Sequence, residues 1–202
     1  MPGTLPAGYN TLINMRKLVL FMHLSLDGFA ADANGGLNWA SYDEELMRYA
    51  GDIVATVGSP VYGRVTYELM AGYWPSVLND PNADAHSKAH AQWVDGVTKY
   101  VFSRTMKKAD WNNTIVINDN IAGAINELKQ QPGKDLVIFG SPTLAHSFME
   151  LDLIDEYQLT INPVLLGSGK PAWDLIKSKT NLKLLKGTIL KSGVLGLHYA
   201  KA

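Results

Sequence analysis

The chain has 202 residues, 47% of them apolar and 18% charged, with a formal charge of −1 and a pI near 6.5. That composition argues against disorder, and without a basic excess neither nucleic acid nor an anionic membrane is expected as a partner. Cysteine is absent, which removes disulfides, thiolate metal sites and cysteine nucleophiles. No apolar run approaches the roughly 20 residues of a bilayer span.

Residues 1–14, MPGTLPAGYNTLIN, lack the basic start and apolar centre of a signal peptide. They are read as a flexible N-terminal arm ahead of one domain, 15–202. From Arg16 to Ser25 the chain is almost continuously apolar, as in a strand buried on both faces. Leu26-Asp27-Gly28 signals a turn, followed by a polar, mobile loop through Asn34-Gly35-Gly36 to Trp39. Ser41 with Glu44 three residues later makes a capping-box pattern, and Leu46, Ala50, Ile53, Val54 and Val57 then recur at helical spacing. Gly58 reads as the helix stop.

Next comes a short strand, Ser59 to Tyr62, that breaks at Gly63 into a helix carrying Arg64, Thr66, Tyr67 and Glu68 to about Ala71. A basic side chain, a hydroxyl and free backbone N–H groups at one helix N-terminus form an anion site, and the glycine lets backbone approach the ligand. Tyr73 to Ala85 reads as loop, broken by Trp74-Pro75 and Asp80-Pro81, before a helical stretch from His86 to Val94. The strand Lys99 to Phe102 ends in Ser103-Arg104-Thr105, and Thr114 to Ile117 is a further short strand. Asp119 or Asn120 caps a helix with the stripe Ile121, Ala124, Ile125 and Leu128, ended by Pro132-Gly133. The strand Asp135 to Phe139 then breaks at Gly140-Ser141 into a helix through Thr143 and Leu144, repeating the arrangement at Gly63. Ile154 to Ile161 is strand-like, and Asn162 to Pro171 is a glycine-punctuated loop or short edge. Leu182 to Leu190 and Val194 to Tyr199 flank Lys191-Ser192-Gly193 as a hairpin.

This alternation favours a mainly parallel α/β sheet with an antiparallel edge and helices on both faces. Ligands of such sheets bind beyond the carboxyl ends of the strands, where Gly63, Ser103 and Gly140 all lie. Each exit alone has a bland reading as a cap, a solvated charge or a tight turn, but together they suit the two ends of one phosphorylated ligand. No Gly-x-Gly-x-x-Gly follows the first strand and no Walker loop is present, and Gly167-Ser168-Gly169-Lys170 is a turn because Pro171 intervenes. His86 and His90 are read as an exposed helical face, and no metal site is expected. His23 is either a core residue or a pocket-lining one. Asp43, Glu44 and Glu45 either complement the helix dipole or offer a carboxylate to a pocket beside the first strand. Trp39 is either a pocket wall or core.

The order Ser25-Leu26-Asp27-Gly28, Trp39, Gly63-Arg64-Val65-Thr66-Tyr67-Glu68, Tyr73-Trp74-Pro75, Phe102-Ser103-Arg104, Phe139-Gly140-Ser141-Pro142-Thr143-Leu144 and Leu165-Leu166-Gly167-Ser168-Gly169 resembles the dihydrofolate reductase-like superfamily. More specifically, it is similar to stand-alone relatives of the C-terminal reductase domain of the bacterial bifunctional riboflavin-biosynthesis deaminase/reductase. The resemblance implies a dihydrofolate reductase-like three-layer sandwich, with a mainly parallel central sheet and an antiparallel C-terminal hairpin. It implies NADPH as cofactor, held by Gly63, Arg64 and Thr66, by Ser103 and Arg104 near the adenosine 2′-phosphate, and by Gly140, Ser141, Thr143 and Leu144. Asp43 or Glu44 would be the catalytic carboxylate, although the spacing from Trp39 differs by about a residue, and His23, Asp27, Trp39 and Thr160 would face the substrate. The implied activity is hydride transfer from NADPH to a pterin- or aminopyrimidine-like heterocycle by a cytoplasmic homodimer that meets through the C-terminal hairpin. The alternative is a non-catalytic nucleotide-binding module or sensor on the same fold.

Overall fold

The computed structural model describes residues 15–202, so the expected N-terminal arm lies outside the described residues. Its spine is β1 (Leu18–Ser25), which is buried along nearly its whole length because parallel neighbours flank it and helices cover both its faces. After β2 (Phe29–Ala31) come α1 (Glu44–Thr56), β3 (Val57–Gly63), α2 (Arg64–Asn79), α3 (Ala85–Gly96), β4 (Lys99–Phe102) and β5 (Thr114–Ile117). Then follow α4 (Ile121–Gln130), β6 (Asp135–Phe139), α5 (Pro142–Glu150), β7 (Glu156–Asn162), β8 (Lys170–Pro171), β9 (Leu182–Ile189) and β10 (Leu195–Lys201).

Eight strands form one sheet in the order β5-β4-β3-β6-β1-β7-β10-β9, while β2 and β8 pair separately. The six strands from β5 to β7 are parallel, and β10 and β9 close the sheet antiparallel. Leu18, Leu20, Met22 and Leu24 alternate onto one face and pack under α4 and α5 with Ile125, Leu128, Ala145 and Phe148. On the other face Phe21 and Val137 meet Ile53 of α1, and Tyr62 and Val101 meet Tyr67 of α2. The result is the three-layer, mainly parallel architecture with an antiparallel C-terminal hairpin. Because the six central strands are parallel, Gly63, Phe102, Phe139, Ser25 and Asn162 all end on one edge. Among the described residues no helix is long and apolar enough to cross a membrane.

Four local expectations are corrected. The cap of α1 is Asp43 rather than Ser41: the chain stays extended through Asp43, whose Oδ1 accepts the Leu46 N–H at 2.8 Å. Gly58 does not stop that helix but lies inside β3, where a Cβ would come within 3.0 Å of Lys134 Cβ. The segment from Tyr73 is helical to Asn79, with Pro75 inside α2, although an interior proline costs about 3 kcal/mol. Neighbouring contacts offset that loss: Trp74 stacks on His90 of α3 at 4.2 Å, and within the helix Asn79 Nδ2 donates to the Pro75 carbonyl at 2.9 Å. Finally, His90 is no exposed face; it sits among Trp74, Trp93 and Phe139.

Candidate active site

Two groups of residues converge on the carboxyl edge of the sheet. The first surrounds the adjacent exits of β4, β3 and β6. At β6 the chain turns through two consecutive left-handed residues, Gly140 (φ 56°) and Ser141 (φ 52°), before α5 begins at Pro142. Ser141 Oγ would lie 2.8 Å from a Cβ on Gly63, so the missing side chain of Gly63 is what allows the two exits to close on each other. The same contact brings the first turns of α2 and α5 side by side.

Their caps set these helices apart. Asp43, Asp84 and Asn120 close α1, α3 and α4 with side-chain hydrogen bonds, whereas Gly63 and Ser141 leave α2 and α5 without one. In α5 the first intrahelical bond runs from Ala145 N–H to Ser141 O, which leaves the N–H groups of Thr143 and Leu144 open. Helix geometry leaves those of Arg64, Val65 and Thr66 open in α2. Both positive helix ends therefore face one edge, a setting suited to a diphosphate. Arg64 stands exposed at this point with its Nη1 within 3.0 and 2.8 Å of the Glu68 carboxylate oxygens. Ser103 Oγ accepts from Met106 N–H at 3.0 Å, tightening the turn after β4 and leaving Arg104 exposed. Thr66 is half-buried and Thr143 exposed, while the Leu144 side chain belongs to the core, so only its backbone faces the edge.

The second group lies beyond β1, β7 and β10, on the α1 side. His23 Nδ1 and Thr160 Oγ1 are 2.6 Å apart across the β1–β7 pair, and Thr160 is fully buried. The imidazole meets Phe21 and Tyr42 edge-on, with ring centroids 5.0 and 5.4 Å away. Burial drives its pKa down to about 4, so the ring is neutral near pH 7. Tyr42 arrives here because buried Asn162 holds the preceding residue: its Oδ1 accepts Ser41 N–H at 3.1 Å while its Nδ2 donates to Leu24 O at 3.2 Å. Further along, Glu45 accepts the Lys191 N–H at 2.6 Å, and the Tyr49 ring lies against Gly196, where a Cβ would come within 2.6 Å of it. These contacts seat α1 on the hairpin.

The structure thus gathers Gly63, Arg64, Thr66, Ser103, Arg104, Gly140, Ser141, Thr143 and Leu144 around one group of strand exits, and pairs His23 with Thr160. It assigns other work to the expected carboxylates. Asp43 caps α1, and the Leu46 N–H, its strongest influence, keeps its carboxyl below the usual range; Glu44 is exposed in the first turn. Asp27 is a brace: Oδ1 accepts from Ser25 Oγ and Leu166 N–H, and Oδ2 from Gly167 N–H. These bonds, that from Ser25 first, hold its pKa at about 2. Trp39 is half-buried in the loop before α1 and donates its indole N–H to Gly36 O at 3.0 Å. Tyr42 and Asn162 were not singled out from sequence. Tyr42 sits in no periodic pattern, and Asn162 showed as the start of a glycine-punctuated segment similar to the riboflavin-type reductases, with no role of its own.

The hollow of about 450 Å³ between α2 and α3 touches none of these residues. Residues 16–195 match the family model of the RibD C-terminal domain. Two Bacillus subtilis (strain 168) proteins, both uncharacterised, are similar along nearly their whole length. YyaP is 36% identical over 93% of this chain and 96% of its own, and YwjB 32% identical over 93% and 99%. Among solved structures, a Shewanella sp. PV-4 protein ascribed to riboflavin biosynthesis superposes with a TM-score of 0.73 at 21% identity, over 92% of this chain and 99% of its own. The Thermotoga maritima diaminohydroxyphosphoribosylaminopyrimidine deaminase/5-amino-6-(5-phosphoribosylamino)uracil reductase gives 0.67 at 11% identity, over 93% of this chain and 57% of its own. Enterococcus faecalis dihydrofolate reductase, complexed with NADP(H), gives 0.60 at 12% identity over 92% and 96%. The fold is therefore dihydrofolate reductase-like, and the chain belongs to the RibD C-terminal domain family.

Proposed function

We propose that the protein is an NADPH-dependent reductase acting on a planar, conjugated heterocycle of the pterin or aminopyrimidine kind. The observation that carries this reading is the pair of uncapped helix N-termini, α2 and α5, closed on each other at Gly63 and Ser141. Gly63, Thr66, Ser141 and the Thr143 and Leu144 N–H groups fit a diphosphate, and Arg64 and Arg104 flank it with positive charge. Bound there, NADPH supplies the hydride. The chain's own part is to hold the acceptor beside β1, with Tyr42 and His23 as its floor, buried Thr160 orienting His23 from behind, and Asn162 and Asp27 fixing the surrounding loops. Among the described residues Asp43, Glu44 and Asp27 are all engaged elsewhere or exposed, so in this reading the proton that accompanies the hydride comes from solvent.

Tryptophan fluorescence titrated with NADPH and NADH tests the cofactor assignment: a saturable NADPH signal, weaker with NADH, is expected, and its absence sinks the reading. Consumption of NADPH in the presence of dihydropterins or aminopyrimidines then separates an enzyme from a non-catalytic nucleotide sensor. The same reading carries a cytoplasmic homodimer. On the hairpin, Leu182, Leu184, Ile189 and Leu195 are between 37% and 79% exposed beside the packed Leu197 and Tyr199, an apolar face left partly open among the described residues. Light scattering of the intact chain and of Leu184→Glu should show a dimer and a monomer respectively.

A further inference from the structure

We infer that His23 offers its Nε2–H to the hydride acceptor as a neutral hydrogen-bond donor, so that the acceptor presents a carbonyl oxygen or an unprotonated ring nitrogen there, not a protonated amidine. The inference rests on the reductase reading for the word acceptor, but the tautomer follows from geometry alone. Thr160 is fully buried, and among the described residues the only partner of its Oγ1 is His23 Nδ1, at 2.6 Å. A hydroxyl proton sealed in a dry site needs an acceptor, so Oγ1–H donates to Nδ1 and the ring proton must sit on Nε2. Nε2 itself has no protein partner among the described residues and is not sealed in, since the ring is half-buried. Phe21 and Tyr42 meet the imidazole at 71° and 75° and hold it in this orientation. Its burial keeps it neutral at ordinary pH.

A carboxylate at this place would select the opposite chemistry, because it binds a protonated, donor-rich ring as a charged pair. Here the segment that could have supplied one places Tyr42 against His23 and leaves Asp43 on the helix cap. A ring that turns a donor toward Nε2–H leaves two donors facing each other without an acceptor.

Two measurements on the intact chain test this. Long-range ¹H–¹⁵N spectra of histidine-labelled protein, assigned with His23→Gln, should show His23 as the neutral Nε2–H tautomer down to about pH 5, given its pKa of about 4. Thr160→Val should mix the two tautomers. An Nδ1–H tautomer, or a charged ring at neutral pH, overturns the assignment. Uracil and 2,4-diaminopyrimidine are then titrated with and without NADPH at a mildly acidic pH that protonates the diaminopyrimidine ring to an amidinium while His23 stays neutral. Uracil should bind about tenfold or more tightly, the worth of one hydrogen bond, and His23→Ala should erase the preference while His23→Gln restores part of it. Equal or tighter binding of the diaminopyrimidine, no binding of uracil, or a ratio unmoved by His23→Ala sinks the inference. A chain that ignores NADPH yet shows the Nε2–H tautomer and prefers uracil would instead refute only the reductase reading.

Discussion

The two halves of the carboxyl edge are built from different materials. Beyond β4, β3 and β6 the groups on offer are backbone N–H groups at two helix starts, made available by what is missing: a Cβ at Gly63 and a cap at both Gly63 and Ser141. Beyond β1, β7 and β10 they are side chains, braced by bonds between segments far apart in the chain. A site made of open backbone recognises a charge shared by many ligands. One made of fixed side chains recognises the pattern of a single ring.

The sharpest way to break the first half is to restore the missing atoms. Gly63 sits at φ −79°, which any residue adopts, so its replacement acts through contact alone. Gly63→Ala is tolerable if Ser141 Oγ rotates away. Gly63→Val would drive a branched side chain against Ser141 and Leu144, whose Cβ would stand 3.6 Å from the new Cβ. Overpacking of this kind costs about 1–3 kcal/mol, and closure of the two helix starts would be lost with it. NADPH affinity should fall about a hundredfold by fluorescence titration, because the lost closure adds to a strain that is itself worth about tenfold per 1.4 kcal/mol. An unchanged affinity would mean that the two exits do not share a ligand.

Asn162→Ala attacks the second half. It removes the acceptor of Ser41 N–H and the donor to Leu24 O inside a fully buried position, and the orphaned groups should lower stability by about 2–3 kcal/mol in urea unfolding. With Ser41 released, Tyr42 loses its hold over His23, so turnover should collapse while NADPH affinity stays within about twofold, as expected for a distant site. Equal losses in both would merge the halves into one cooperative unit.

The contrast also explains what the sequence disclosed. Strand exits at Gly63, Ser103 and Gly140 are local signals: an apolar run, a breaker and a helix start within a few residues. The acceptor side depends on pairings 121 residues apart for Ser41 and Asn162 and 137 for His23 and Thr160. No periodicity encodes such pairings, so His23 could not be sorted between core and pocket. Ser41 looked like the cap because Glu44 completes a capping-box pattern. Ser41 N–H is instead taken by Asn162, and Asp43 is the residue left in reach of Leu46 N–H. Pro75 misled for a related reason, since the contacts that support that turn, such as the stacking of Trp74 on His90, reach across to another helix.

Arg64 gives a smaller effect whose sign is informative. It pairs with Glu68 across one exposed helical turn, an interaction worth only about 0.3–0.5 kcal/mol. Arg64→Ala should weaken NADPH about tenfold, the worth of one charge-assisted contact. Glu68→Gln should strengthen it slightly, by about twofold, by releasing the guanidinium from that pair. Should Glu68→Gln weaken binding instead, the carboxylate itself touches the ligand.

The smallest effect compares the halves by proton linkage. His23 lies in the acceptor half. His90 packs on Phe139 at the end of β6, beneath the cofactor half. Burial lowers both from 6.5 to about 4, so between those values the unfolded chain binds more protons than the folded one. Stability should therefore be full above about pH 6.5 and fall progressively towards about pH 4, with the two rings contributing over the whole window and the lowered carboxylates of Glu156 and Asp27 adding only at its acid end. His90→Phe keeps an aromatic ring among Trp74, Trp93 and Phe139 and removes one titrating group, so the difference between urea midpoints at neutral and mildly acidic pH should shrink. His23→Gln should shrink it further. If His90→Phe leaves that difference unchanged, the ring beneath the cofactor half is already solvated, and the packing that carries Pro75 through α2 is looser than its stacking with Trp74 implies.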